Sequence, residues 1–236
     1  MRSVRLAILA AALIALGLLL VSGPGTRAGL WPWQVGLQLL RWAFYVGVGA
    51  LVVALVALCI PRVRAGGAQT LALAVVACIA AAGLPLLQFA QAKSVPPIHD
   101  ITTDAQDPPA FVALDAVRRA SPNGTKYGGP EIAAAQAKAY PEIRAKTLAE
   151  PPQAAFARAL EAARAMGWEI AATDPEQGRI EATDTTLWFG FKDDVVVRVR
   201  PEGGGSRIDV RSVSRVGRSD VGANARRIGK YLSRIT

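Results

Sequence analysis

VVVRVR (Val195–Arg200), PEGGGS (Pro201–Ser206) and RIDVRSVS (Arg207–Ser214) read in succession as strand, turn and strand. In the first segment Val195, Val197 and Val199 share one face, with Arg198 and Arg200 on the other. In the last, Ile208, Val210 and Ser212 stand against Asp209 and Arg211. Successive side chains of a strand point to opposite faces, so the alternation predicts antiparallel strands with one apolar face. Such a face needs a cover, and the flanking sequence offers two. Upstream, Pro151-Pro152 opens a helix in which Phe156, Ala159, Leu160 and Ala163 recur at helical spacing while Arg158, Glu161 and Arg164 face away; Gly167 stops it. Downstream, a last helix from about Val221 to Ile235 carries Val221, Ala225, Ile228, Leu232 and Ile235 as an apolar stripe.

Two further strands complete the pattern. Trp168–Thr173 leads through the Asp174–Gly178 turn into Arg179–Phe191, and Lys192-Asp193-Asp194 turns into the first valine. Helix, four antiparallel strands and helix, both helices needing the same sheet face, predict a two-layer α+β domain. Its amino-terminal part is Pro-rich: Pro96-Pro97-Ile98-His99-Asp100, then Asp107-Pro108-Pro109-Ala110-Phe111. Proline holds itself and its predecessor extended, so this reads as a strap along the domain. A loop with Asn123-Gly124 and Gly128-Gly129-Pro130 follows, then a short helix from Glu131 to Ala139 ended by Pro141.

Before residue 93 the character of the chain changes. No aspartate or glutamate precedes Asp100, and three long apolar runs occupy about 4–21, 35–60 and 68–91. A carboxylate at the bilayer centre costs several kcal/mol, so an acid-free stretch with such runs predicts a membrane anchor of three transmembrane helices over residues 1–92. Pro85 is a candidate kink in the third. Trp31, Trp33 and Trp42 gather at the head of the second, where indole rings favour the membrane–water boundary. Gly47-Val-Gly49-Ala50 supplies small residues for close helix approach.

Arg2 and Arg5 precede the first run, and Arg62 and Arg64 fill the connection between the second and third. By the positive-inside rule these ends are cytoplasmic, and an odd number of crossings puts residues 93–236 on the far side: in a bacterium, the inner membrane with its domain in the periplasm or outside. The first run also fits a signal peptide, although Ser22–Gly29 offers no clean cleavage site; either reading exports the domain. Cys59 and Cys78 both lie in apolar runs, so the exported part has no thiol for a disulfide or a metal.

His99 is the only histidine and stands beside Asp100 and near Asp104, which makes these three the candidate catalytic set, His99 as general base and one carboxylate orienting it. The competing reading is a strap whose polar groups bond loop backbone. As a calcium loop the segment fails, because the twelfth position is Phe111 where a glutamate is wanted. No metal and no cofactor is expected.

Chemistry of a different kind gathers at the carboxy terminus. From Arg198 onward ten basic residues face three acids. Arg215, Arg218 and Ser219 lie at the start of the last helix, where backbone amides hold anions, although Asp220 brings its own charge there. Arg226, Arg227, Lys230 and Arg234 lie off its apolar stripe. Together they are the candidate anion- or partner-binding residues, against the plainer reading of a solvated helix face. The expected partners are the lipid bilayer and, at this basic surface, either anionic headgroups or another envelope protein. No nucleic-acid motif appears.

Two stretches carry a resemblance. One is Pro97-Ile98-His99-Asp100-Ile101-Thr102-Thr103-Asp104 with Asp107–Phe111; the other is Arg211-Ser212-Val213-Ser214-Arg215 with Gly217, Ser219, Asp220, Gly222, Asn224 and Arg227. Over residues 94–236 the chain resembles the uncharacterised family known as domain of unknown function 1499, and its membrane-anchored subset in particular. The resemblance implies a domain boundary and no activity, cofactor or partner. The sequence thus reads as a membrane-anchored envelope protein whose exported domain is a non-enzymatic binding or assembly module. The alternative is a hydrolase-like enzyme centred on His99 with Asp100 or Asp104.

Overall fold

In the computed structural model, which describes residues 1–235, the amino-terminal runs form α1 (Arg2–Arg27), α2 (Trp33–Cys59), the single turn α3 (Pro61–Arg64) and α4 (Ala68–Ser94). Three of these helices are long and apolar enough to cross a membrane. At about 1.5 Å per residue each exceeds the roughly 30 Å hydrocarbon layer. Small residues set the packing: Ala12, Ala50, Ala54, Ala57, Ala74 and Ala77 are buried together with Ile8 and Leu71. A Cβ on Gly47 would lie 3.3 Å from the Ala81 methyl, whereas one on Gly49 would meet nothing within 4 Å. Gly47 therefore makes the close approach that the glycine pair predicts. Pro85 sits inside α4, which continues through it. Arg5 donates to the Ala65 carbonyl at 2.7 Å, so the first arginine pair and the α2–α4 connection share one end of the bundle.

The chain divides into two compact units, the first comprising Met1–Gln91 with Leu187–Gly190 and the second Ala92–Thr186 with Phe191 onward. The second unit runs β1 (Asp100–Thr102), α5 (Asp115–Arg119), α6 (Pro130–Ala139), β2 (Lys146–Leu148), α7 (Pro152–Ala165), β3 (Glu169–Asp174), β4 (Arg179–Thr185), β5 (Lys192–Glu202), β6 (Gly205–Ser214) and α8 (Ala223–Arg234). The sheet is antiparallel in the order β1-β6-β5-β4-β3, with β2 also on β6. It is wider than the expected four strands. Asp100–Thr102 from the strap pairs with residues 211–213, and Lys146–Leu148 with residues 206–208. Three residues are too few to show a period, so these two strands exist only because β6 offers them an edge.

One expected strand is shorter than its sequence. β4 ends at Thr185, and 186–191 form a hairpin loop closed by Thr186 N–H to the Phe191 carbonyl and Phe191 N–H to Thr186 Oγ1, both at 2.8 Å. The helix-side face is the core. Val195, Val197, Val199, Ile208 and Val210 pack with Ala182, Ile180, Phe156 and Ala159 of α7, and Ile228 and Tyr231 of α8. Tyr231 stacks on Trp168 at 4.8 Å and donates to the Ala159 carbonyl at 2.9 Å, adding to the sequence stripe a buried ring beside the half-buried Leu232. Val221 lies outside the helix with φ +54.

α8 runs antiparallel to β6: Asn224 reaches Ser212 and Ser214 near the end of that strand, while the Leu232 carbonyl accepts from Lys146, opposite Ile208. The face of the sheet turned away from the helices is also buried. Phe111 at the end of the strap and Leu114 just after it close over Val196 and Val213.

Candidate functional site

That second face carries the chain's densest chemistry. Alternation and register bring Glu181, Thr183, Asp194, Val196, Arg198, Asp209 and Arg211 onto it from three neighbouring strands. Asp100 of β1 receives Arg211 in a two-pronged pair at 3.0 and 2.8 Å. Asp194 receives Arg118 of α5 at 2.9 Å and Arg215 at 2.8 Å, and Thr183 donates to it as well. The Phe111 ring lies beneath two of these guanidiniums, 4.9 Å from Arg118 and 5.6 Å from Arg211. Burial lowers the pKa of Arg118 from its usual value, and Asp194 offsets part of that.

Further along the same face Arg198, Arg200 and Arg207 converge on Asp104, Asp107 and Asp209. Burial works against the charged form of Asp104. The amides of Asp107 and Gln106 and the guanidiniums of Arg207 and Arg200 outweigh it, holding its carboxyl below 3.8. Glu181 fixes the covering segment directly, accepting the backbone N–H groups of Val112, Ala113 and Leu114 at 2.8, 3.0 and 2.9 Å.

The helix-side face ends in a second polar group. Arg227 of α8 donates to Asp193 at 2.6 Å and Asp184 at 2.7 Å. Asn224 links Ser212, Ser214 and the His99 carbonyl. The Asp220 carboxylate accepts from Gly222 and Asn224 backbone N–H groups at 2.7 and 2.9 Å, so the start of α8 holds an internal anion. Burial raises the Asp220 pKa, with Asp193 nearby adding to it and the two amides opposing.

The three candidate catalytic residues are not brought together. The His99 ring lies 3.4 Å from the Arg218 carbonyl, while alternation turns Asp100 to the opposite face, where Arg211 occupies both its oxygens. Asp104 is bound by arginines, and a carboxylate held as an anion in this way is a weak base. Nor do the candidate anion-binding residues form one set. Arg215 is turned to Asp194 on the second face, Arg227 is buried on Asp193, and Ser219 accepts from Val221 N–H. Arg218, Arg226, Lys230 and Arg234 are exposed. Sequence reasoning missed Arg118, Glu181, Asp193 and Asp194. Their one visible signal is the mixing of arginine with aspartate on strands that also carry valine.

The two motif stretches are thus two sides of one interlock, Asp100 opposite Val213 and Ile101 opposite Ser212. A family model described as a protein of unknown function, DUF1499, matches residues 100–235. The chain belongs to the DUF1499 family. The match begins at Asp100, the residue that Arg211 clamps, and ends with α8. The DUF1499 domain is therefore the whole sheet with both its covers, and the Pro-rich strap from β1 onward is part of it. Among curated proteins none matches the chain.

Proposed function

We propose that this chain is a membrane-anchored, non-enzymatic docking module of the cell envelope, whose DUF1499 domain receives an acidic partner on the exposed cationic face of α8. The supporting observation is a separation among its arginines. Those of the sheet and its second cover are matched by buried or half-buried carboxylates, whereas Arg226, Lys230 and Arg234 recur every fourth residue along the outer side of α8, with Arg218 just before it. The arginines at the Arg5–Ala65 end of the bundle favour a cytoplasmic amino terminus, and an odd number of crossings then carries the domain to the periplasm or cell exterior.

The spacing of the α8 cations favours a protein over lipid headgroups. Arg226, Lys230 and Arg234 span about 12 Å of helix at four-residue intervals, which an acidic helix or strand can match residue for residue. An acidic face standing beside the domain meets the whole stripe. Photo-crosslinking in intact cells tests this with benzoylphenylalanine at Lys230 and, as control, at the exposed Glu161 of α7. The reading predicts a discrete protein adduct at Lys230 alone, lost when Arg226 and Arg234 become glutamate. An adduct indifferent to those charges, or lipid adducts only, overturns it.

A further inference from the structure

The loop joining β4 to β5 reads Thr186-Leu187-Trp188-Phe189-Gly190-Phe191, an apolar tip on an otherwise charged hairpin. Leu187 is 85% exposed and Trp188 42% exposed. A leucine and an indole held out of the core together need a reason.

Register places this tip. Asp193 pairs with Ser214, the Arg215 N–H donates to the Lys192 carbonyl, and the Ser214 N–H donates to the His99 carbonyl. The β4–β5 tip is therefore at the end of the sheet where β6 finishes and β1 begins. The chain from α4 enters at that same end: a Cβ on Gly222 would lie 3.7 Å from Val95, and the Asp220 N–H donates to the Ile98 carbonyl. The other hairpin tip, Gly203-Gly204, lies at the far end of β5, about 34 Å away at the rise of an extended strand. So the apolar tip is at the tethered end of the sheet and the glycine tip at the free end.

We propose that the β4–β5 loop, led by Leu187 and Trp188, is a second membrane-contacting element that seats in the interfacial layer of the bilayer crossed by α1, α2 and α4. Tryptophan favours that layer, where its ring is half in hydrocarbon and its N–H meets water. The inference rests on the helices spanning the membrane.

Spin labelling of the full chain in phosphatidylcholine nanodiscs tests it. Cys59 and Cys78 are replaced by alanine, and single cysteines are placed at Leu187, Trp188, Gly203 and the outward-facing Val76 of α4. Power saturation then compares accessibility to oxygen, which concentrates in lipid, with that to a water-soluble nickel chelate. Labels at 187 and 188 should show an oxygen-to-nickel ratio several-fold above that at 203 and approaching that at 76. A high ratio at 76 with 187 and 188 matching 203 overturns the loop proposal alone. Labels at 187 and 188 shielded from both reagents overturn it too, because the loop is then covered by protein. A low ratio at 76 overturns the spanning reading on which the proposal rests.

Discussion

Asp193 and Asp194 are neighbours in β5 whose carboxylates point to opposite faces of the sheet, each nearly inaccessible and each committed to arginine. Asp194 holds Arg118 and Arg215 under the segment that follows the strap; Asp193 holds Arg227 of α8. One dipeptide thereby ties both covers to the sheet. The two sites differ in reserve. Asp194→Asn leaves the fully buried Arg118 without a charged partner, and orphaning a buried charge costs about 3–5 kcal/mol. Asp193→Asn leaves Arg227 its second carboxylate, Asp184, and should cost clearly less. Urea unfolding of the two variants in mild detergent checks the order, and equal losses would contradict it.

Glu181 tests how the second cover is held. Glu181→Ala removes the acceptor from three consecutive backbone N–H groups, and leaving such donors unpaired when buried costs about 1–3 kcal/mol each unless the segment lifts into water. Hydrogen exchange should accelerate at Val112, Ala113 and Leu114 while the β5 and β6 amides stay protected. Uniform acceleration would mean that the cover is not separately latched.

Acid should release the arginine cluster around Asp104. Against the effect of burial, backbone amides and nearby guanidiniums hold its carboxyl below the ordinary aspartate value in the folded chain. Its contribution to stability is thus complete above that ordinary value and is lost as pH falls through the lowered folded one. The Tm difference between the native chain and Asp104→Asn should therefore be full at neutral pH and shrink steadily below 3.8. A difference that does not change with pH would remove the ionic account.

In the membrane unit the glycines separate cleanly. Gly47→Leu forces a side chain against Ala81 and Ala82, and overpacking of this kind costs about 1–3 kcal/mol. Gly49→Leu enters open space and should be tolerated within about 0.5 kcal/mol. Thermal unfolding in detergent separates the two.

The helix-side core was legible in the sequence because it obeys a period: Val195, Val197, Val199, Ile208 and Val210 are buried as their alternation requires, and Ala225, Ile228 and Ile235 as their helical spacing requires. The three apolar runs were legible by length and absence of acid. The second face was not. Arg198, Asp209 and Arg211 alternate like residues meant for water, and nothing local says that their partners come from positions such as Asp100 and Asp107, 111 and 91 residues away. Arg215 reads from its position as part of an anion site at the start of α8 for the same reason, whereas its partner Asp194 lies across the sheet register. The strands β1 and β2 are invisible at three residues each. The two motif stretches lie about 110 residues apart in the sequence, and the pairing of β1 with β6 is what joins them.

The claim beneath the rest is that those two stretches hold the domain shut, with Asp100 and Arg211 as the direct link between them. A double-mutant cycle on Asp100→Asn and Arg211→Met, read by urea unfolding of the full chain, measures that link. The account predicts that the second substitution costs far less once the first is present, a coupling of at least about 1.5 kcal/mol. Losses that add to within about 0.5 kcal/mol would show that the two residues stabilise the domain independently, and would contradict it.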